Sequence, residues 1–261
     1  MSMPRTVVFG DDGSPNADVA WLFINSQSWQ DWSVEVVTAQ MPAIIGAVLP
    51  SERVELHSWD PPTPRVAFPG AGFAQVAHLT AESDPRIVLS RDCDLLVIGP
   101  RGTGFLKSLH LGSTADWLLL RPPAPLLIAR HGKPTRNTVV CVDGSTHADK
   151  VTETIATLPW AEHLAVTVLA VEDSRTDVNT AVSRTRERLE PVVATVQVQT
   201  YSGRPTEMIH RHLADTSPDL VALGTRGLTG LKLLRLGSTA SAIARSASCS
   251  VLLACDSAGG A

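Results

Sequence analysis

The chain of 261 residues carries 22 Lys and Arg against 26 Asp and Glu, a net charge of −4, with 44% hydrophobic residues and 18 each of Gly and Pro. This is globular composition and excludes a disordered or fibrous chain. With no long run of one charge sign, there is no electrostatic footprint for a nucleic-acid backbone or an anionic membrane, so neither partner is expected.

Met1-Ser2-Met3-Pro4-Arg5 leads directly into an apolar strand, Thr6-Val7-Val8-Phe9, closed by Asp12-Gly13-Ser14. No apolar stretch and cleavage site of a signal peptide precedes it, and a cytoplasmic location is expected. Residues 42–72 hold Pro42, Pro50, Pro61, Pro62, Pro64 and Pro69, a density that forbids a regular helix. The expectation is a long irregular excursion: a lid, a partner-binding loop or a simply mobile segment. A strand at Leu95–Ile98 runs into a glycine-rich loop that ends in Gly112-Ser113-Thr114-Ala115, and a last strand is expected at 125–130. Leu118-Leu119-Leu120 is stopped by Arg121-Pro122-Pro123, so no segment approaches the roughly 18 apolar residues of a membrane span.

The polar, turn-forming stretch 131–137 divides the chain into domains of 1–133 and 134–261. In the second, apolar runs at 138–142, 165–171, 193–200, 220–224 and 250–255 alternate with helical patterns at about 147–158, 174–190, 205–216 and 238–247. This alternation predicts an α/β fold, a parallel open sheet with helices on both faces.

The two domains repeat one another. The segment Val97–Ala115 recurs 125 residues later as Ala222–Ala240, and 11 of the 17 positions from Gly99 to Ala115 keep their residue. The first strand of the second copy, Val139-Val140-Cys141-Val142, is closed by the same tripeptide, Asp143-Gly144-Ser145. The chain reads as a tandem duplication, two five-stranded sheets of which the first carries the Pro-rich insert in place of one helix.

Each glycine motif follows a strand and ends at a helix start, the geometry in which free backbone N–H groups and the positive end of the helix dipole face a phosphate. The candidates are the Gly, Arg, Ser and Thr residues of the motif that both copies retain. In the first copy these are Gly99, Arg101, Gly102, Gly112, Ser113 and Thr114; in the second, Gly224, Arg226, Gly227, Gly237, Ser238 and Thr239. Asp12 and Asp143 close the first strands, where a carboxylate can accept hydrogen bonds from a sugar hydroxyl or an adenine amino group. The competing explanation is local, with Gly ending strands and Ser capping helices.

Other chemistries fail on spacing. Gly102–Ser108 resembles a P-loop, but Leu106 stands where Gly should precede the Lys, and the second copy has Lys232-Leu233 without a hydroxyl. A dinucleotide fingerprint would need a third Gly at Lys107 and a place after the first strand. The acidic pair Asp11-Asp12 suggests a phosphate-accepting receiver, yet Val142 replaces the first Asp in the second copy. His210 and His212 fall on different faces of a helix, and His57, His78, His110, His131, His147 and His163 lack ligand spacing, so no metal site is expected. Cys93, Cys141, Cys249 and Cys255 show no C-x-x-C spacing and read as core residues. Trp21, Trp29, Trp32 and Trp117 read as core or interface, and no catalytic base can be named.

Asp-Gly-Ser after the first strand and Gly-x-x-Gly-x9-Gly-Ser after the fourth, both present twice, resemble the universal stress protein family in its tandem, ATP-binding-motif form. The resemblance covers the chain apart from 42–72. It implies an adenine-nucleotide alpha-hydrolase-like fold in each half and binding of ATP, with Mg2+ as an optional companion. It places Asp12 and Asp143 at the base or ribose, Ala39 and Val171 in the adenine pocket, and the glycine loops at the phosphates. It also implies that 125–130 and 250–255 pair across an intramolecular pseudo-dimer, and it leaves room for a homodimer. Pro100 removes one donor from the first loop, which makes the second site the stronger candidate. The expected role is a cytosolic stress protein with ATP as a regulatory ligand and at most a slow ATPase activity. The alternatives are a partner-binding scaffold with vestigial nucleotide sites and a cyclic-nucleotide binder.

Overall fold

The computed structural model describes residues 5–41, 61–102, 111–172, 178–227 and 236–254. Residues 42–60 of the Pro-rich stretch with His57, the loop centres 103–110 and 228–235 with Lys107, His110 and Lys232, the start of the 174–190 pattern, and Cys255 lie outside these.

The first half runs β1 (Arg5–Gly10), α1 (Pro15–Ser26), β2 (Trp32–Gln40), β3 (Gln75–Glu82), α2 (Pro85–Val88), β4 (Leu95–Ile98), α3 (Ser113–Leu120) and β5 (Leu126–Ile128). The second runs β6 (Asn137–Val142), α4 (Thr146–Thr157), β7 (Ala165–Glu172), α5 (Asn179–Leu189), β8 (Thr195–Ser202), α6 (Pro205–Thr216), β9 (Leu220–Gly224), α7 (Ser238–Ser246) and β10 (Ser250–Ala254). All ten strands form one sheet in the order β3-β2-β1-β4-β5-β10-β9-β6-β7-β8. Every neighbouring pair is parallel except β5 and β10, which meet antiparallel with Leu127 opposite Leu252. The central strands are buried along their length, Leu95–Ile98 and Ser250–Ala254 among them, as a sheet covered on both faces requires.

Helices α1, α4 and α5 cover one face and α2, α3, α6 and α7 the other. Trp29 and Trp160, which hold the same position in the two copies, meet edge to face at 4.6 Å in the first layer. Both rings are fully buried, so apolar packing is continuous from one half to the other. In the second layer Arg130 donates from Nη2 to the carbonyl of Ala244 at 2.7 Å, and Arg245 pairs with Asp116.

Local chemistry sets the helix starts. Ser14 and Ser145 accept from the N–H of Ala17 and Ala148, and Pro15 and Pro205 occupy first turns, where the missing N–H costs nothing. The connection between β2 and β3 carries no α-helix over its described residues 61–74, only a 3-10 turn at Pro69–Ala71. A second departure of the first half was not anticipated: α2 is a single turn where α6 has 12 residues. The cause is spacing, since five fewer residues separate Pro85 from Leu95 than separate Pro205 from Leu220.

Candidate functional site

The ends of β1 and β6 are shaped by the same three residues. Gly13 and Gly144 adopt φ of 70° and 81°, the left-handed region open to glycine, which turns the chain from strand into helix within four residues in the first copy and three in the second. The turn lets Asp12 accept from the N–H of Ser14 at 3.1 Å, and Asp143 from that of Ser145 at 3.0 Å. Ser14 and Ser145, besides capping their helices, donate to the carbonyls of Arg101 and Arg226 at 3.4 and 3.3 Å. The tripeptide is thereby tied to the glycine loop in both halves.

The glycines of that loop divide by what a side chain would meet. A Cβ on Gly99 would stand 2.8 Å from the carbonyl oxygen of Asn16, and one on Gly224 2.8 Å from Cβ of His147. These two glycines let the ends of β4 and β9 pack against the first turns of α1 and α4. A Cβ on Gly102 would overlap Oδ2 of Asp12, and one on Gly227 would lie 2.5 Å from Oδ2 of Asp143, so the second glycine admits the carboxylate. Gly112 and Gly237 have ordinary room, 3.4 and 3.5 Å to the nearest atoms. They are the N-caps of α3 and α7, without a capping side chain, and leave the helix N–H groups to the loop side.

In the first half these parts enclose a cavity of about 890 Å³ at the carboxyl ends of β1, β2 and β4. Asp12, Ala39, Gly99, Arg101, Gly102, Gly112, Ser113 and Thr114, drawn from four separate stretches of sequence, all line it. The size lies within the range of about 300–1,000 Å³ common for small-molecule sites, and the place is where an open α/β sheet binds ligands.

The second half repeats the frame with other neighbours. The N–H of Gly237 donates to the carbonyl of Thr225 at 2.7 Å, as that of Gly112 donates to Pro100 at 2.9 Å. Thr225, in the place of Pro100, sets its hydroxyl 3.4 Å from Nδ1 of the buried His147. Thr239 accepts from the hydroxyl of Thr206 at 3.3 Å, Val171 pairs in register with Tyr201, and Ser238 opens α7. Nε of Arg226 is buried without a hydrogen-bond partner among the described residues.

Sequence reasoning missed the residues that close the first cavity. Pro62 lines it and would lie 3.2 Å from a Cβ on Gly13. Arg65 grips the buried Asp11 with two hydrogen bonds of 2.8 Å and reaches Asp18 at 2.6 Å. The hydrogen bonds to Asp11, ahead of the opposing effect of burial, raise the Arg65 pKa and keep its charge fixed. Asp84 and Arg86, at the rim, form a salt bridge at 2.5 Å that holds the Asp84 carboxyl below its ordinary value. No sequence periodicity marks Arg65, which sits among prolines; only the unmatched Asp11 hinted that the first half needs a cation.

Burial pushes the thiol of Cys93 up to about 12 and that of Cys249 to about 11, as expected for core cysteines kept un-ionised. Among the described residues no group of three or more His, Cys, Asp or Glu is placed to hold a metal, and no helix is long and apolar enough to cross a membrane.

The sequence model of the Universal stress protein family matches residues 3–130 and 172–254. A curated relative, a universal stress protein of Synechocystis sp., is 27% identical over 168 residues, which cover 63% of this chain and 58% of that protein. Among solved structures, a universal stress protein from Archaeoglobus fulgidus superposes with a TM-score of 0.66 at 15% identity, covering 97% of this chain and 99% of its own. A putative universal stress protein from Pseudomonas aeruginosa gives 0.56 at 15% identity, with 97% and 93% covered. The structural likeness bears on the fold, while the match over 3–130 and 172–254 spans well over half of the sequence. The chain belongs to the universal stress protein family.

Proposed function

We propose that the chain binds an adenine nucleotide, ATP, as the regulatory ligand of a cytoplasmic stress response. One observation carries the reading: the eight first-half residues picked out by the duplicated motif and the resemblance line a single cavity. In that cavity Asp12 would accept from the ribose or base, Ala39 would face adenine, and Gly112, Ser113 and Thr114 would hold phosphate at the start of α3. Asp143, Val171, Gly224, Arg226, Gly227, Gly237, Ser238 and Thr239 would serve the second site, and the halves, joined through β5 and β10, would work as an internal pair. Mg2+ would enter with the phosphates, because the described residues offer it no cluster of their own.

Occupancy is favoured over turnover. No His, Cys or Lys lines the cavity among the described residues, and Asp11 and Asp84 are held by arginines. The test is to purify the full chain without added nucleotide, denature it, and identify and count the released small molecules by mass spectrometry. Close to two adenine nucleotides per chain is the expected result, with occupancy unchanged over hours in Mg2+ buffer. An empty protein that also fails to bind ATP in titration would overturn the reading and bring the scaffold alternative forward.

A further inference from the structure

The duplication makes Asp11 conspicuous. Its counterpart is Val142, so the fold itself does not need an acid there. Yet Asp11 is one of the most buried charges among the described residues, its side chain 2% exposed, and it lines the cavity with Asp12. A second carboxylate in the lining of a cavity adds negative charge that repels any anion that enters. A buried charge is tolerated when it is paired with good geometry and its remaining hydrogen-bonding capacity is met. Arg65 supplies a bidentate partner through Nε and Nη2, and the N–H of Gly13 donates to Oδ1 of Asp11 at 3.1 Å.

Arg65 is not in the cavity lining. It comes from the 61–72 stretch, which runs as a strap along α1 and is fastened at further points. Trp21 donates from Nε1 to the carbonyl of Val66 at 3.3 Å, and the N–H of Phe68 donates to Oδ1 of Asn25 at 2.6 Å. The N–H of Trp29 donates to the carbonyl of Ala71 at 2.7 Å, and that of Ala74 to Trp32 at 2.8 Å. Three residues before Arg65, Pro62 rests on Gly13 and forms part of the cavity wall.

From this we infer that Arg65 is a positioning residue of the first-half site: it latches the strap onto Asp11 and Asp18, so that Pro62 walls the cavity and Asp11 is neutralised ahead of an anionic ligand. The inference rests on the nucleotide reading of that cavity for its functional half and on the strap alone for its structural half. Arg65 contacts the ligand in neither half; it acts through Asp11 and through Pro62.

The experiment compares the full-length chain with Arg65→Met, Asp11→Val and the double variant, by amide exchange across 66–74 and by calorimetric titration with ATP. Arg65→Met is expected to raise exchange at Phe68, Ala71 and Ala74 and to weaken one of the two ATP sites by about tenfold or more, because it strands a buried carboxylate. The double variant carries no buried charge and adopts the second copy's own residue at position 11. It is expected to regain much of the affinity while exchange across the strap stays high, a split that loss of folding would not produce. Unchanged exchange in Arg65→Met would overturn the inference whether or not ATP binds, as would unchanged affinity at both sites. If wild-type protein binds no ATP while exchange still rises in Arg65→Met, the nucleotide reading and the electrostatic role fall together, and only the latch stands.

Discussion

The two halves solve one packing problem with different material. In the second, the connection from β7 to β8 contains α5, whose Arg184 reaches Asp149 in the first turn of α4 at 3.2 Å. In the first, the connection from β2 to β3 contains the strap, whose Arg65 reaches Asp18, the equivalent residue of α1. An arginine from this connection meets the same acid in both copies, whether a helix or an irregular strap delivers it. Only the strap goes further, past the helix to Asp11 at the end of β1. The second copy has no acid at that place, Val142 standing where Asp11 stands, so Arg184 of α5 has only the helix acid to meet. The same frame thus has unlike surroundings at the equivalent strand ends of its two halves.

The largest expected effect tests what the halves share. Trp29→Ala or Trp160→Ala should each cost about 3–5 kcal/mol, because either leaves a large void between the halves. Replacement by Phe should separate the pair. Nε1 of Trp29 donates to the carbonyl of Ile24 at 2.7 Å, while Nε1 of Trp160 has no partner among the described residues. Removing the unpaired N–H relieves a penalty of about 1–3 kcal/mol that offsets lost packing, so Trp160→Phe should be the milder change. Denaturant unfolding of the full chain measures both, and equal costs would show that the two rings are not used differently.

Next in size are the glycines, which the sequence shows only as a repeated pattern. Gly99→Ala and Gly224→Ala press a methyl group onto the turn of the facing helix and should cost about 1–3 kcal/mol each. Gly112→Ala and Gly237→Ala meet ordinary contacts and should cost less than about 1 kcal/mol, the scale of a change of N-cap. Thermal melts of the four variants check this order. An equal loss at all four would remove the distinction between glycines that pack the fold and glycines that keep the helix start open.

That distinction marks how far the sequence could be read. Strand and helix positions of the second half were legible from the alternation of apolar runs with helical patterns and from the residues that open helices, Ser145 at α4 and Pro205 at α6. Eight lining residues of the first cavity were legible, most from the duplicated glycine motif and Ala39 from the family resemblance. The one-turn α2 was hidden in a spacing difference without a motif. Arg65 was hidden because its partners lie 47 and 54 positions away and no local pattern announces a long-range ion pair. Local periodicity encodes which face is apolar; it does not encode which charge a proline-rich stretch brings to the end of a strand.

The smallest effect sharpens the comparison at the aspartates that precede β4 and β9. Asp94 is exposed and accepts one backbone N–H, that of Thr6, at 2.8 Å. Asp219, at the equivalent place, is buried beneath the connection between the halves. It accepts from the N–H of Arg136 and Asn137 at 3.0 and 2.9 Å and pairs with Lys133 at 2.8 Å. Burial pushes its pKa up, but those hydrogen bonds and the ammonium outweigh it and hold the carboxyl below its ordinary 3.8. A depressed carboxyl adds stability that is fully present above its unfolded value and disappears as the pH falls through the folded one. Wild-type protein should therefore lose stability on acidification from about pH 4 downwards. Asp219→Asn should be less stable near neutrality and should flatten that acid limb, while Asp94→Asn should cost less than about 1 kcal/mol at neutral pH. Denaturant midpoints at pH 7 and pH 3.5 test both, and an acid limb unchanged in Asp219→Asn would show that the connection between the halves does not depend on this carboxylate.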